Sequence, residues 1–438
     1  IADLLIPRVL LLLRRLLREM GRRYQSAIRN PQSAIRNPQS QQGRNNMARE
    51  MVAPFHETQA YNEPRTDIRE ALRVIGLSKW FDSERVLDDV SFSIGEGESL
   101  ALLGYSGSGK STTLRIIAGL EKPDTGEIYL RGRHIEHLRA RERNVGVIFQ
   151  NYALFPRMTV EENIGFGLRI RGVYKSERKV VVDELLAMIG LSDQRDKFPS
   201  QISGGQQQRV AIARALAYKP EVLLFDESFS ALDPQTRVSL RREIRALLRR
   251  LRVPALFITH DQEEAMELGD QIAILNHGRL EQVGTPDDVY NNPQTEFVAT
   301  FLGAANVVEG SWREGLIALD CDRTLSAPKP APTVVSERVK IVFRPEDLTL
   351  GPPTGLVETP YHLGGGEVID VSFTGATETL MVCLLPKGHT AQPPDENTEK
   401  KCNFTLKVQR TKWDARRLKL SPGDLVSVGL KTYKILRG

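Results

Sequence analysis

From Asp67 to about Phe301, short uninterrupted apolar runs alternate with longer stretches of helical period. Ser99-Leu-Ala-Leu-Leu103, Val145-Gly-Val-Ile-Phe149, Val222-Leu-Leu-Phe225, Ala255-Leu-Phe-Ile-Thr259 and Gln271-Ile-Ala-Ile-Leu275 are too short for helices and lack polar alternation. A strand reads this way when both of its faces are covered, and strands spaced by helices build a largely parallel α/β sheet. Beyond Phe301 the texture changes. Short β-branched runs (339–343, 367–373, 379–384 and 425–430) are separated by Gly/Pro turns, which predicts a small all-β domain of barrel type. The polar stretch Pro386 to Lys401 is expected to be an exposed loop.

Residues 1–66 follow neither pattern. Their longest apolar run, Val9 to Leu13, is closed by Arg14 and Arg15, which is too short for a secretory signal, and no small-residue cleavage site follows. Leu and Arg on opposite faces would suit a helix lying on a membrane surface. Ser-Ala-Ile-Arg-Asn-Pro-Gln then occurs twice in tandem, at 26–32 and 33–39, ahead of Gln- and Asn-rich sequence with little to bury. We expect 1–66 to be a disordered or artefactual extension, with Met47 or Met51 the natural first residue. No apolar run approaches the ~18 residues that a membrane span needs, so any spans must come from other chains.

A length of 438 residues suggests two domains, and 40% hydrophobic residues suffice for a core in each. The net charge of +5 would hint at nucleic acid or membrane, but residues 1–50 alone carry ten Arg against three acids, leaving the remainder at −2. No nucleic-acid partner is expected. Cys321, Cys383 and Cys402 are odd in number and widely spaced, without a metal-ligand pattern, which predicts a reducing compartment and no disulfide framework.

Gly104-Tyr105-Ser106-Gly107-Ser108-Gly109-Lys110-Ser111 follows an apolar strand and precedes a helix predicted over Thr112 to Leu120, the context that a phosphate-binding loop requires. Glycines let successive backbone N–H groups wrap a phosphate, and the helix N-terminus adds partial positive charge. Amides from Gly107 to Thr112 complete the cradle, Lys110 would reach the β- and γ-phosphates of ATP, and the Ser111 hydroxyl would ligate Mg²⁺. Val222-Leu-Leu-Phe-Asp-Glu227 ends a buried strand in two carboxylates. Asp226 would hold the metal and Glu227 would polarise the attacking water.

Ile202-Ser-Gly-Gly-Gln-Gln-Gln-Arg209, opening a helix predicted over Gln206 to Tyr218, separates this chain from other P-loop NTPases. It resembles the LSGGQ signature of ABC transporter ATP-binding subunits. The implied fold is an ABC cassette at 67–302, with a helical subdomain at about 151–214. It is followed at 303–438 by a β-rich regulatory domain of TOBE or OB-like type. The resemblance implies that Ser203, Gly204, Gly205 and Gln206 face the γ-phosphate bound by a second protomer, with Asp233 in the loop at the dimer seam. It makes Gln150 a metal- and phosphate-sensing residue that couples to the membrane subunit, His260 the switch histidine, and Phe81 the adenine-stacking aromatic, with Trp80 as fallback. It also implies a homodimer, integral-membrane permease subunits and, indirectly, an extracytoplasmic solute-binding protein. The chain would then sit peripherally on the cytoplasmic face of a bacterial inner membrane.

Phe343-Arg-Pro-Glu-Asp347, Gly423-Asp-Leu-Val-Ser-Val-Gly429 and the segment from Glu281 to Gly303 resemble the tail of solute-importer ATPases for sugars, polyamines, sulfate or iron. Arg139-Ala-Arg-Glu-Arg143 leans toward the sulfate type. The sequence departs from the family at Tyr105 and Ser228, where proline is usual. Because proline pre-sets φ, local rigidity is expected to fall there. An exporter ATPase and a non-catalytic ATP-gated module are the alternative readings.

Overall fold

The computed structural model describes residues 70–230, 232–313, 315–320, 323–326, 338–353, 355, 357–385 and 404–436. The expectations for 1–66 and for the loop at 386–401 therefore lie outside the described residues.

The α/β region opens with strands β1 (Glu70–Phe81), β2 (Glu84–Gly95) and β3 (Ser99–Leu103), then helix α1 (Lys110–Ala118). Strands β4 (Thr125–Leu130), β5 (Arg133–His134) and β6 (Val145–Ile148) lead to three helices, α2 (Val160–Ile170), α3 (Lys175–Met188) and α4 (Gly204–Leu216). Then follow β7 (Val222–Asp226), α5 (Pro234–Leu251), β8 (Ala255–Thr259), α6 (Gln262–Leu268), β9 (Gln271–Asn276) and β10 (Arg279–Gly284). Helices α7 (Pro286–Asn291) and α8 (Glu296–Phe301) close it.

The five apolar runs, joined by β10, form one six-stranded sheet in the order β10-β9-β3-β8-β7-β6, parallel except for the β9–β10 hairpin. Strands β3 and β8 are buried at every position, which explains their unbroken apolar sequence. Alternate residues serve opposite faces. Leu100, Leu102, Leu224, Leu256 and Ile258 share a core with α1 and with a second, antiparallel sheet of order β2-β1-β4-β5. Phe225 and Phe257 stack at 4.5 Å. That antiparallel sheet was not foreseen, because its strands mix burial with exposure and are broken by register shifts.

The β-rich region holds β11 (Asn306–Arg313), β12 (Leu316–Leu319), β13 (Arg323–Ser326), β14 (Arg338–Phe343), β15 (Leu348–Gly351), β16 (Tyr361–Phe373), β17 (Thr377–Leu384) and β18 (Thr405–Thr411). Helix α9 (Lys412–Arg417), β19 (Leu425–Leu430) and β20 (Lys434–Leu436) complete it. Two five-stranded antiparallel sheets, β13-β12-β11-β14-β20 and β15-β19-β16-β17-β18, enclose one apolar core. Against the expectation of no disulfide framework, Cys383 is disulfide-bonded, which an odd count and wide spacing did not suggest. The other two cysteines lie outside the described residues.

Candidate functional site

Strands β3, β6, β7 and β8 run parallel, so their C-terminal ends share one edge of the sheet, and the polar residues singled out above follow those ends. After β3, Gly107 (φ 82°) and Gly109 (φ 102°) take left-handed conformations that turn the loop into α1. A Cβ at Gly104 would sit 2.2 Å from the Leu275 carbonyl oxygen, so this position admits only glycine. The first-turn amides of α1 have no intrahelical acceptors, as a phosphate site needs. Lys110 Nζ donates to the carbonyls of Gly104 (2.9 Å) and Tyr105 (2.7 Å), beneath that turn. Burial lowers the Lys110 pKa, and the nearby carboxylates of Glu227 and Asp226 oppose that shift.

The Ser111 hydroxyl donates to Asp226 Oδ1 at 3.2 Å, joining the start of α1 to the end of β7. Desolvation raises the Asp226 pKa, and the Ser111 bond works against it. A half-buried carboxylate beside a hydroxyl is an oxygen-only donor pair, suited to a hard cation such as Mg²⁺. Glu227 is held at φ 44°, unusual for a non-glycine residue, and its Oε1 lies 3.2 Å from His260 Nδ1. Gln150 Nε2 donates to Ser230 Oγ at 3.3 Å, and Ser230 Oγ donates to the Glu227 carbonyl at 2.9 Å. Lys110, Ser111, Gln150, Asp226, Glu227 and His260 are thus linked, directly or through Ser230 and the loop. Ser106 and Thr112 flank the turn, while the Ser108 hydroxyl is buried without a hydrogen-bond partner.

Other residues singled out lie elsewhere or do local work. Ser203 and Gln206 form a reciprocal capping box at the start of α4. The turn they close packs on Leu232 and Thr236, since Cβ atoms at Gly204 and Gly205 would meet those side chains at 3.3 and 3.1 Å. Among the described residues, no hydrogen bond joins 203–206 to the phosphate loop of the same chain. Asp233 caps α5 by accepting from Thr236 N, a bond that lowers its pKa. Phe81 ends β1 exposed, with Lys79 Nζ 5.1 Å from its ring centre, whereas the Trp80 face is covered by Arg85. Ser228, in the second proline position, is buried and its hydroxyl has no partner.

Four residues have supporting roles that the sequence reading did not give them, Arg143 being named there only as part of the 139–143 segment. Arg143 is fully buried and donates to the Ile116 and Ile117 carbonyls at the C-terminus of α1, fastening that helix next to β6. After Gln150, Tyr152 (φ 58°) and Ala153 (φ 46°) are both left-handed, and Arg214 from α4 holds their carbonyls at 2.8 and 2.6 Å. Buried Asn163 bonds Phe155 through both its N–H and its C=O. The fourth, Glu264, is buried beside the His260 segment and accepts from Thr259 Oγ1 at 3.1 Å; desolvation pushes it up to about 7. Only the basic character of Arg214, on the same helix as the signature, offered any signal.

Residues 87–230 match the family model described as ABC transporter. The chain is 50% identical over 240 residues to the sulfate/thiosulfate import ATP-binding protein CysA of Synechococcus elongatus, a match covering 55% of this chain and 70% of that protein. It is 42% identical over 314 residues to the spermidine/putrescine import ATP-binding protein PotA of Oleidesulfovibrio alaskensis, covering 70% and 84%. Among solved structures, cbiO1 of Clostridium perfringens, part of the cbiONQ ABC transporter complex, aligns with a TM-score of 0.48 at 29% identity, covering 51% of this chain and 92% of that one.

Proposed function

The chain belongs to the ABC transporter family of import ATP-binding subunits, and from that premise we propose that the edge described above is half of a composite ATPase site completed by a second copy. The carrying observation is the set of contacts Ser111–Asp226, Glu227–His260 and Gln150–Ser230–Glu227 at one sheet edge, with Lys110 beside Ser111 at the start of α1. A signature turn with no bond to its own phosphate loop supports completion by the 203–206 turn of a partner. We assign the ATP-binding domain to 67–302, with its helical subdomain at about 151–214, and a β-rich regulatory domain to 303–438.

In this reading Lys110 exchanges its two carbonyl acceptors for phosphate oxygens, and the first-turn amides of α1 hold the same phosphates. Ser111, Asp226 and Gln150 would hold Mg²⁺, which supplies neutralisation of phosphate charge. Glu227 accepts the proton of the attacking water, and His260, 3.2 Å away, fixes the orientation of its carboxylate. Gln150 joins this centre to the segment gripped by Arg214 and Asn163, a route by which closure would reach permease helices. The likeness to import ATP-binding proteins supports a peripheral position on a permease at the cytoplasmic face. Among the described residues no helix is long and apolar enough to cross a membrane.

A phosphate-release assay of Glu227→Gln tests the assignment. Turnover is expected to fall about 10²–10⁴-fold with ATP binding retained. Near-normal turnover removes Glu227 as the base. For the cargo we propose a sulfate-type oxyanion, on the 50% identity to the sulfate/thiosulfate relative. Polyamine is the second reading, because the polyamine-import relative matches over more of this chain, 70% against 55%. Uptake of labelled sulfate and of labelled spermidine by cells carrying or lacking this chain separates the two.

A further inference from the structure

Tyr105, at the first position where this sequence departs from its family, connects the phosphate loop to the last helix of the cassette. Its ring packs edge-on against Phe301 (centroids 4.7 Å apart, 70°) and Phe297 (5.9 Å, 71°) on α8, and those two rings stack at 5.3 Å. Two further grips hold the end of the same helix. Gln262, two residues beyond His260, donates through Nε2 to the Phe301 carbonyl and accepts from Gly303 N at 3.3 Å. From the β-rich region, buried Arg344 donates to the carbonyls of Ala299 (2.7 Å), Leu302 and Tyr290, with its guanidinium 4.0 Å above the Tyr290 ring. The segment 299–303 is therefore held at once by the phosphate loop, by α6, which follows His260, and by the β-rich region.

We propose that Tyr105 is a positioning residue that latches the phosphate loop to α8, so that filling the loop with phosphate is transmitted to 299–303 and through Arg344 to the β-rich region. The inference rests on ATP binding at this loop. The Tyr105 carbonyl accepts from Lys110 Nζ (2.7 Å) and Ser108 N (3.2 Å), so it is part of the loop's closure. When Lys110 turns to phosphate oxygens it gives up that carbonyl, and the Tyr105 peptide acquires a second arrangement. The ring moves with its peptide, and α8 follows through two aromatic contacts. By linkage the effect is reciprocal: a shift of the β-rich region that pulls on Ala299 and Leu302 changes nucleotide affinity by the same factor.

The test uses the full chain. Amide hydrogen exchange over 299–303 is followed with and without a non-hydrolysable ATP analogue plus Mg²⁺, alongside nucleotide affinity by fluorescence and the KM and kcat for ATP. Wild type is expected to change its exchange at 299–303 on nucleotide addition. Tyr105→Ala is expected to lose that response, with KM raised about two- to tenfold and kcat less affected, the scale of an aromatic pair. Tyr105→Phe, which keeps the ring, restores the response. Phe301→Leu, which lies outside the loop, reproduces the loss. An intact response in Tyr105→Ala or in Phe301→Leu overturns the latch while leaving the ATPase assignment standing. Absence of nucleotide binding by wild type overturns both.

Discussion

The cassette and the β-rich region are both strand-built, yet only one collects chemistry. In the cassette, β3, β8, β7 and β6 lie side by side and point the same way, so the residues that follow them converge on one edge. The two sheets of the β-rich region are antiparallel throughout, so neighbouring strand ends leave at opposite edges. Their side chains meet across a core, and the polar contacts toward the cassette come mainly from one corner, where Arg344, Glu346 and Lys340 reach α7 and α8. Strand direction, more than composition, decides which region holds a reaction centre and which acts through contacts.

Two substitutions set the regions against each other. Lys110→Ala is expected to cut ATP turnover about 10²–10³-fold in a phosphate-release assay, the scale of removing one donor from a charged centre. A variant with normal turnover would break the claim that the strand edge is the centre. Arg344→Met should do the converse. It removes the guanidinium donors from the carbonyls of Tyr290, Ala299 and Leu302, of which that of Ala299 keeps Ala305 N, and is expected to cost about 2–4 kcal/mol in denaturant unfolding. A cost near zero would mean that the corner is not a structural joint.

Glu264→Gln sharpens the comparison from within the cassette. Burial raises the Glu264 pKa from 4.5 to about 7, so between those values the folded chain binds more protons than the unfolded one. Its contribution is therefore full below about pH 4.5 and declines as pH rises through about 7, with Asp261 adding to the shift and Arg241 and Arg237 opposing it. The neutral amide is expected to be more stable than wild type at pH 8 by about 1–3 kcal/mol, with the gap closing toward pH 5. Melting curves at both pH values measure this, and a gap independent of pH would discard the explanation.

Much of the cassette was legible because a strand covered on both faces must be apolar along its length. Ser99–Leu103 and Ala255–Thr259 have the extents read from the sequence. The phosphate loop and the two carboxylates were legible because their chemistry is local, set by glycines and by neighbours in the chain. The supports were not. Arg143 finds the two carbonyls of α1 at 26 and 27 residues, besides two local ones, Arg214 finds its pair at 61 and 62, and Arg344 its three at 42 to 54. Nothing in the residues around an arginine names a partner at that distance. Strands β1 and β2 were missed for a different reason: their bulges break the two-residue period by which a half-buried strand is recognised.

One feature of the sheet order bears on how the cassette is able to move. Strands β6 and β7 are immediate parallel neighbours, yet residues 149–221, with α2, α3 and α4, lie between them in the chain. The excursion leaves at Ile148, on the edge where the site lies, and returns at Val222, which pairs with Val145 at the other end of the strands. Its two roots are therefore roughly 10 Å apart along the strand direction, three residues of extended chain. Such a piece is a strap that crosses the sheet from one edge to the other. A displacement begun beside Gln150 at the first root has a covalent path, through α2, α3 and α4, to the opposite end of the same two strands.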